Sequence, residues 1–251
     1  MDINLFTVIG TRPQFVKASA LSRAIDKFNE SSNINHKILH TLIHTGQHYD
    51  DNMSDIFFKE LGLNAPDILF EIKKENISHA RMTSQMMNDL EETFTSNKPD
   101  MILVYGDTNT TLAASLTAAK LGIKIAHIES GLRSFNKTMP EEINRILTDH
   151  ISELLFCPTE DSVNNLKNEG IKINSFKTGD VMLDVNNYYI KTALDKFDLS
   201  KYNLVNQHYV LATIHRQESV DNKERLSNLL NAFNEISKER SVILPIHPRT
   251  K

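Results

Sequence analysis

Short aliphatic runs, each ending in a glycine or polar turn and followed by apolar residues at helical spacing, recur along this 251-residue chain. The first run is Ile3 to Ile9, closed by Gly10-Thr11-Arg12-Pro13 and followed by Phe15, Ala18, Leu21 and Ile25 three or four positions apart. His36 to His44 is a second run, ending in Thr45-Gly46-Gln47-His48. Met101 to Tyr105 is a third, leading through Gly106-Asp107 into a helical stretch from Thr108 to Ala119, with Gly122 placed to close it. Ile123 to Ile128 then reads as a strand ending at Glu129. Near-continuous apolar runs separated by helical periodicity predict parallel α/β structure with right-handed crossovers.

From Pro140 the pattern predicts a helix through Ile143, Ile146, Leu147 and His150, with Glu141 and Glu142 in its first turn, where the helix dipole favours negative charge. Leu154 to Cys157 is the next strand, whereas Asp195 to Gln207 is polar and weakly periodic and reads as a connection. A new unit follows, with Tyr209 to Ile214 as a strand, Asn222 to Ile236 as a helix and Val242 to Ile246 as a strand. A domain normally needs ~100–150 residues. The expected division is therefore a first lobe at residues 1–190 and the start of a second, truncated lobe at 191–251. Met86-Met87 and Phe57-Phe58 read as helix core, and Lys73-Lys74-Glu75 as a solvated surface.

A formal charge of −4 argues against a dedicated binder of nucleic acid or anionic membrane. One cysteine, Cys157, cannot form an internal disulfide, which fits a reducing cytoplasm. The N-terminal apolar run is too short to span a bilayer and lacks a small-residue cleavage site after it, so neither export nor a membrane anchor is expected. No two glycines are separated by a single residue, which removes the G-x-G-x-x-G signature, and no P-loop is present. Neither a nicotinamide cofactor nor a catalytic metal is expected, because no H-E-x-x-H occurs and the histidines are scattered.

What remains is acid/base chemistry on an anionic substrate. Gly10 to Lys17 lies where a strand hands over to a helix, so backbone N–H groups and the positive helix end meet the cations Arg12 and Lys17, as a phosphate requires. The same segment also serves as a solvated turn with Pro13 in a first helical turn. Asp107 has two readings, a helix N-cap and a catalytic carboxylate. Glu129 stands at the carboxyl edge of the sheet, where open α/β sheets place ligands, and Glu141 joins it if its helix points there. Parallel strands lie ~4.8 Å apart, so these three carboxylates can converge on one small substrate; crowding raises at least one pKa, leaving one group to give a proton while another takes one. His215 and His247 end two strands of the second unit, each followed closely by an arginine, which suggests that this edge faces an anion.

Six ordered motifs resemble the bacterial non-hydrolysing UDP-N-acetylglucosamine 2-epimerases: Gly10-Thr11-Arg12-Pro13, Thr45-Gly46-Gln47-His48, Tyr105-Gly106-Asp107-Thr108, His127 to Arg133, Pro140 to Arg145, and His215-Arg216 followed by Glu218. The resemblance implies two Rossmann-like lobes in a glycosyltransferase-B-like arrangement, the second incomplete in this chain, with a UDP-sugar substrate held between them. It implies an isomerase that interconverts UDP-N-acetylglucosamine and UDP-N-acetylmannosamine for polysaccharide biosynthesis, by anti elimination and re-addition of UDP through 2-acetamidoglucal, with no cofactor. It also implies a cytoplasmic homodimer. Carried over motif by motif, Asp107, Glu129, Glu141 and His215 are the catalytic set; Arg12, Lys17, Arg133, Arg145, Arg216 and Glu218 bind substrate; and Gln47, His48 and His247 belong to an activating site. Gln14 and Gln217 stand where many members have an acidic residue and an arginine. These departures resemble a group acting on sugars such as UDP-2,3-diacetamido-glucuronic acid, which is the alternative substrate. A glycosyl transferase on the same two-lobe scaffold is the alternative activity.

Overall fold

The computed structural model describes residues 1–31, 35–47, 64–72, 77–205, 208–214, 217–246 and 250, with the side chains of 217 and 218 left aside. The chain divides into two compact units, Met1–Tyr188 and Tyr189–Lys251.

The first unit is built on a seven-stranded sheet made of β1 (Ile3–Ile9), β2 (Ile38–His44), β3 (Ile68–Leu69), β4 (Met101–Tyr105), β5 (Lys124–Ile128), β6 (Leu154–Cys157) and β7 (Ser175–Lys177). All neighbouring strands are parallel, in the order β3-β2-β1-β4-β5-β6-β7. This is the expected α/β class. The described helices of this unit are α1 (Arg12–Asn29), α2 (His79–Asn97), α3 (Asn109–Lys120), α4 (Pro140–Ile151), α5 (Glu160–Asn168) and the start of α6 (Val181–Lys196).

Alternation along the strands assigns the two faces. Phe6, Val8, Ile102, Val104 and Ile125 pack with Met86, Leu90 and Phe94 of α2 and Ala113, Ala114 and Ala118 of α3. Their neighbours Ile9, Leu103, Tyr105 and Ala126 pack on the other face with Phe15 and Ala18 of α1. A strand buried on both sides must be apolar at every position, which is why Met101 to Tyr105 reads as an unbroken run. Met86 is fully buried, as expected of helix core; Phe57, Phe58 and Lys73 to Glu75 lie outside the described residues.

Strand order reverses between β1, which leads through α1 to β2, and β4, which leads through α3 to β5. At such a reversal the two connections leave on opposite faces, and a crevice opens between the carboxyl ends of the two strands. Among the described residues, no helix is long and apolar enough to cross a membrane.

The loop after β5 packs tightly on α5. Gly131 has φ +78°, and a Cβ on it would lie 2.3 Å from the Ser162 carbonyl oxygen. Gly131→Ala therefore combines backbone strain with a collision against backbone. A loss of about 2 kcal/mol, seen as a melting temperature lower by ~4–8 °C, is expected from a thermal melt; an unchanged midpoint would show that the loop shifts freely.

The second unit contains the end of α6, a 3₁₀ turn at Leu199–Tyr202, β8 (Tyr209–Leu211), α7 (Gln217–Val220), α8 (Lys223–Ser237) and β9 (Ser241–Ile243). β8 and β9 pair in parallel. Asn222 is the N-cap of α8, its side chain accepting from Arg225 N at 3.0 Å. Both strands end about three residues before the apolar runs do, and the Asp195 to Gln207 segment expected as a connection holds one helix end and the 3₁₀ turn.

Candidate active site

Three carboxyl-end turns meet around the switch point. Gly10 and Thr11 follow β1, Thr45 to Gln47 follow β2, and Gly106 to Thr108 follow β4. They are stitched by side chains. The Thr45 and Thr110 hydroxyls are 2.8 Å apart. A Cβ on Gly10 would lie 2.2 Å from one and 2.3 Å from the other, so only glycine fits beneath them. Gln47 accepts from Thr110 N at 2.9 Å and from Thr110 Oγ1 at 2.7 Å, which fixes it against the start of α3.

Asp107 is not the helix cap. Thr108 holds that position, its hydroxyl accepting from Thr111 N at 3.2 Å. The Asp107 carboxylate is thus left to face Arg145 of α4, whose Nη1 donates to its Oδ2. Burial pushes the Asp107 carboxyl above the usual carboxylate range; Arg145 and Lys17 oppose that rise, and Glu129 and Glu141 add to it. Both other carboxylates are therefore close enough to act on Asp107 by charge, while Glu141 itself is exposed at the start of α4.

Glu129 has φ +71°, in the left-handed region that costs a non-glycine residue of order 1 kcal/mol. Its N–H and that of Ser130 both reach Phe156 O, at 3.0 and 3.1 Å, so the carboxyl edge of β6 holds the strained turn in place. One oxygen of Glu129 accepts from Lys17 Nζ of α1. This pair lies over Gly106, whose missing Cβ would sit 3.5 Å from Glu129 Oε2 and 3.7 Å from Lys17 Nζ. Two carboxylates, each carrying a cation, so occupy adjoining turns at the mouth of the crevice.

A second layer of polar groups supports them. Glu142, 1% exposed, accepts from Ser134 N at 2.9 Å, Phe135 N at 2.8 Å, and Arg145 Nε and Nη2 at 3.0 and 2.7 Å. Burial alone would raise its pKa, yet these donors outweigh burial and bring it down to about 2. Arg145 is thereby stretched between Glu142 and Asp107. Buried His127 places Nε2 2.8 Å from Gly106 O and Nδ1 2.7 Å from the Asp149 carboxylate, which also takes Gly131 N at 3.1 Å and Arg133 Nη1 at 2.7 Å. Burial opposes ionisation of Asp149, and His127 and Arg133 outweigh it, holding its pKa low.

The expectation that Arg133 binds substrate is corrected by this network. Its side chain is 1% exposed, paired through Nε and Nη2 with Glu169 at 2.6 and 2.7 Å, and spent on Asp149 and Leu132 O. It is a strut inside the protein. Arg12 is exposed at the first position of α1. His48, His215, Arg216 and His247 lie outside the described residues, as does the side chain of Glu218.

No motif in the sequence assigns a function to His127, Glu142, Asn144 or Asp149, and Gln14 reads there only as a departure from a family pattern. The available signal was polarity in apolar surroundings: His127 interrupts the run Ile125 to Ile128, and Gln14, Glu142, Asn144 and Asp149 fall among helix positions that the structure buries.

The family model described as UDP-N-acetylglucosamine 2-epimerase matches residues 30–251. The chain is 46% identical over 253 residues to the UDP-2,3-diacetamido-2,3-dideoxy-D-glucuronate 2-epimerase of Pseudomonas aeruginosa, covering 99% of this chain and 68% of that relative. It superposes with TM-score 0.84 and 43% identity on the Methanocaldococcus jannaschii UDP-GlcNAc 2-epimerase solved in complex with UDP-GlcNAc and UDP, covering 99% of this chain and 67% of that one. The Neisseria meningitidis UDP-GlcNAc 2-epimerase bound to UDP-GlcNAc gives TM-score 0.85 at 32% identity, with 99% and 67% covered.

Proposed function

Since the chain belongs to the UDP-N-acetylglucosamine 2-epimerase family, we propose that it inverts C2 of a UDP-linked N-acetylated sugar, interconverting UDP-N-acetylglucosamine and UDP-N-acetylmannosamine. The observation that carries this reading is the meeting of Asp107 with Glu129, Glu141, Lys17 and Arg145 at the switch-point crevice.

Inversion removes a proton from one face of C2 and returns one to the other, so it calls for two groups on different supports. Asp107 stands on the β4 turn and Glu129 on the β5 turn. Asp107, whose pKa is raised by burial and by two carboxylates, is the group suited to carry a proton; Glu129, its carboxylate paired with Lys17 on the adjoining turn, is the group that takes one. The C2 proton is next to no carbonyl and is a weak acid. Its loss is coupled to departure of UDP: C2–H and C1–O break, a C1–C2 double bond forms, and the glucal takes UDP back after a proton arrives on the opposite face. Arg12, Lys17 and the N-terminus of α1 stabilise the departing diphosphate.

In the same reading His215 lies beside the sugar and diphosphate, Arg145, Arg216 and Glu218 help hold the nucleotide sugar, Glu141 completes the acid/base set, and Gln47, His48 and His247 serve an activating site. Residues 1–190 and 191–251 belong to the two lobes, and two copies pair in the cytoplasm to supply a polysaccharide precursor. Turnover of UDP-N-acetylglucosamine in deuterated water should place deuterium at C2; product of unchanged mass under active turnover would refute the mechanism.

The Pseudomonas aeruginosa relative favours a second reading, in which the sugar is a UDP-linked diacetamido-glucuronic acid. Competition between the two UDP-sugars, read as the ratio of kcat/KM, decides between them.

A further inference from the structure

We propose that Gln14, His127 and Asn144 are positioning residues which, by holding three successive backbone carbonyls at 105–107, set the direction in which Asp107 presents its carboxyl. This rests on the reading of Asp107 as an acid/base group given above. Gln14 Nε2 donates to Tyr105 O at 2.9 Å, His127 Nε2 lies 2.8 Å from Gly106 O, and Asn144 Nδ2 donates to Asp107 O at 2.8 Å. A carbonyl can only accept, so His127 Nε2 carries the hydrogen. All three side chains are buried, at 2%, 0% and 4% exposure.

The turn they grip is tied to its neighbours by Gly106 N, which donates to Ile128 O at 3.0 Å, but its own side chains add little. Gly106 adopts φ +62° and has no side chain to pack. The three donors add to the bond that the following helix makes to these carbonyls, from the Thr111 hydroxyl to Tyr105 O at 2.6 Å, and each is itself held on its far side or within a packed helix. Gln14 Oε1 accepts from Gly10 N at 2.9 Å and Thr11 N at 3.1 Å, and His127 Nδ1 is tied to Asp149.

The three donors come from the elements that deliver the charged groups. α1 brings Gln14 with Arg12 and Lys17; β5 brings His127 and leads into Glu129; α4 brings Asn144 with Glu141 and Arg145. Any shift of one element therefore drags the Asp107 turn with it, and the carboxyl keeps its spacing to the groups it works with. Reaction rates are sensitive to this spacing: a displacement of about 1 Å can lower turnover by ~10²-fold.

Asn144→Leu keeps the side-chain shape and removes the donor. Gln14→Met removes the donor to the Tyr105 carbonyl from a different helix, together with the bonds Gln14 makes to Gly10 N, Thr11 N, Thr108 and Thr111. With UDP-N-acetylglucosamine as substrate, each should lower kcat by about tenfold or more; in Asn144→Leu, which lies outside the diphosphate-binding turn, KM should stay within about threefold, whereas Gln14→Met also releases Gly10 N and Thr11 N and raises KM as well. A folded variant with kcat within about threefold of the parent overturns the proposal, as does a rise in KM with kcat retained. Loss of the fold in both variants, judged by circular dichroism, also overturns it, since the trio would then be structural. Asp107→Asn run in parallel separates the two levels: full turnover in that variant sinks the acid/base reading itself, whereas an inactive Asp107→Asn beside a normal Asn144→Leu sinks only the positioning role.

Discussion

Asp107→Asn should lower turnover by ~10²–10⁴-fold and leave the protein at least as heat-stable as before. The two effects have one cause. Burial and the nearby Glu129 and Glu141 carboxylates make the charged form of Asp107 unfavourable, and the pKa in the fold lies above its ordinary value. A group with a raised carboxyl pKa binds protons more readily in the native state than in the unfolded chain, so ionisation above that pKa subtracts stability. Stability attributable to Asp107 therefore falls as pH rises through the interval between the unfolded and folded values, and asparagine, which never ionises, abolishes that loss. Arg145 keeps Glu142 as a partner in the variant, so no buried cation is stranded. Melting curves at pH 4 and pH 7, set beside initial rates, test the pairing. A variant that is both inactive and clearly less stable would make Asp107 a structural residue. Glu129→Gln should share the loss of turnover, but it also deprives Lys17 of its carboxylate, and its melting temperature is expected to fall.

The parts of this fold that the sequence makes legible are those with one physical requirement. Met101 to Tyr105 and Leu154 to Cys157 are buried on both faces or nearly so, and their boundaries coincide with the apolar runs. β3 and β7, two and three residues long, are too short to carry a periodic signal. α6 escapes for a different reason: only Val185 is buried, while Leu183, Tyr188, Ile190 and Leu194 are exposed, so no clean stripe marks it. The carboxylates stood out because parallel sheets place chemistry at strand ends. Their supports did not, because a buried polar side chain is explained by its partner, and these partners are remote: Gln14 meets Tyr105, His127 meets Asp149, and Asn144 meets Asp107. Arg133 illustrates the converse. A cation in a turn at the carboxyl edge of the sheet suggests an anionic ligand until Asp149 and Glu169 are found to neutralise it.

Glu142→Ala is expected to give the largest loss of stability, about 3 kcal/mol or more, with a melting temperature lower by ~6–12 °C. Removing this buried carboxylate takes one partner from the Arg145 guanidinium and unties the N–H groups of Ser134 and Phe135, which belong to exposed residues and regain water. Breaking a buried charge pair at one partner costs about 3–5 kcal/mol, which sets the scale. The pH dependence distinguishes this account from simple loss of packing. The folded pKa is about 2 against an ordinary 4.5, so the native state holds the proton less readily than the unfolded chain. Glu142 therefore contributes stability that is fully present above pH 4.5 and is lost as pH falls toward 2. In Glu142→Gln the acid limb of the stability curve should be flatter than in the parent, the two curves converging across that interval. Turnover should drop as well, because Arg145 keeps Asp107 but loses the anchor that aims it, and the loop bearing Ser134 and Phe135 loses its tie to α4. Parallel acid limbs for parent and glutamine variant would mean that the carboxylate is not held by these donors in solution.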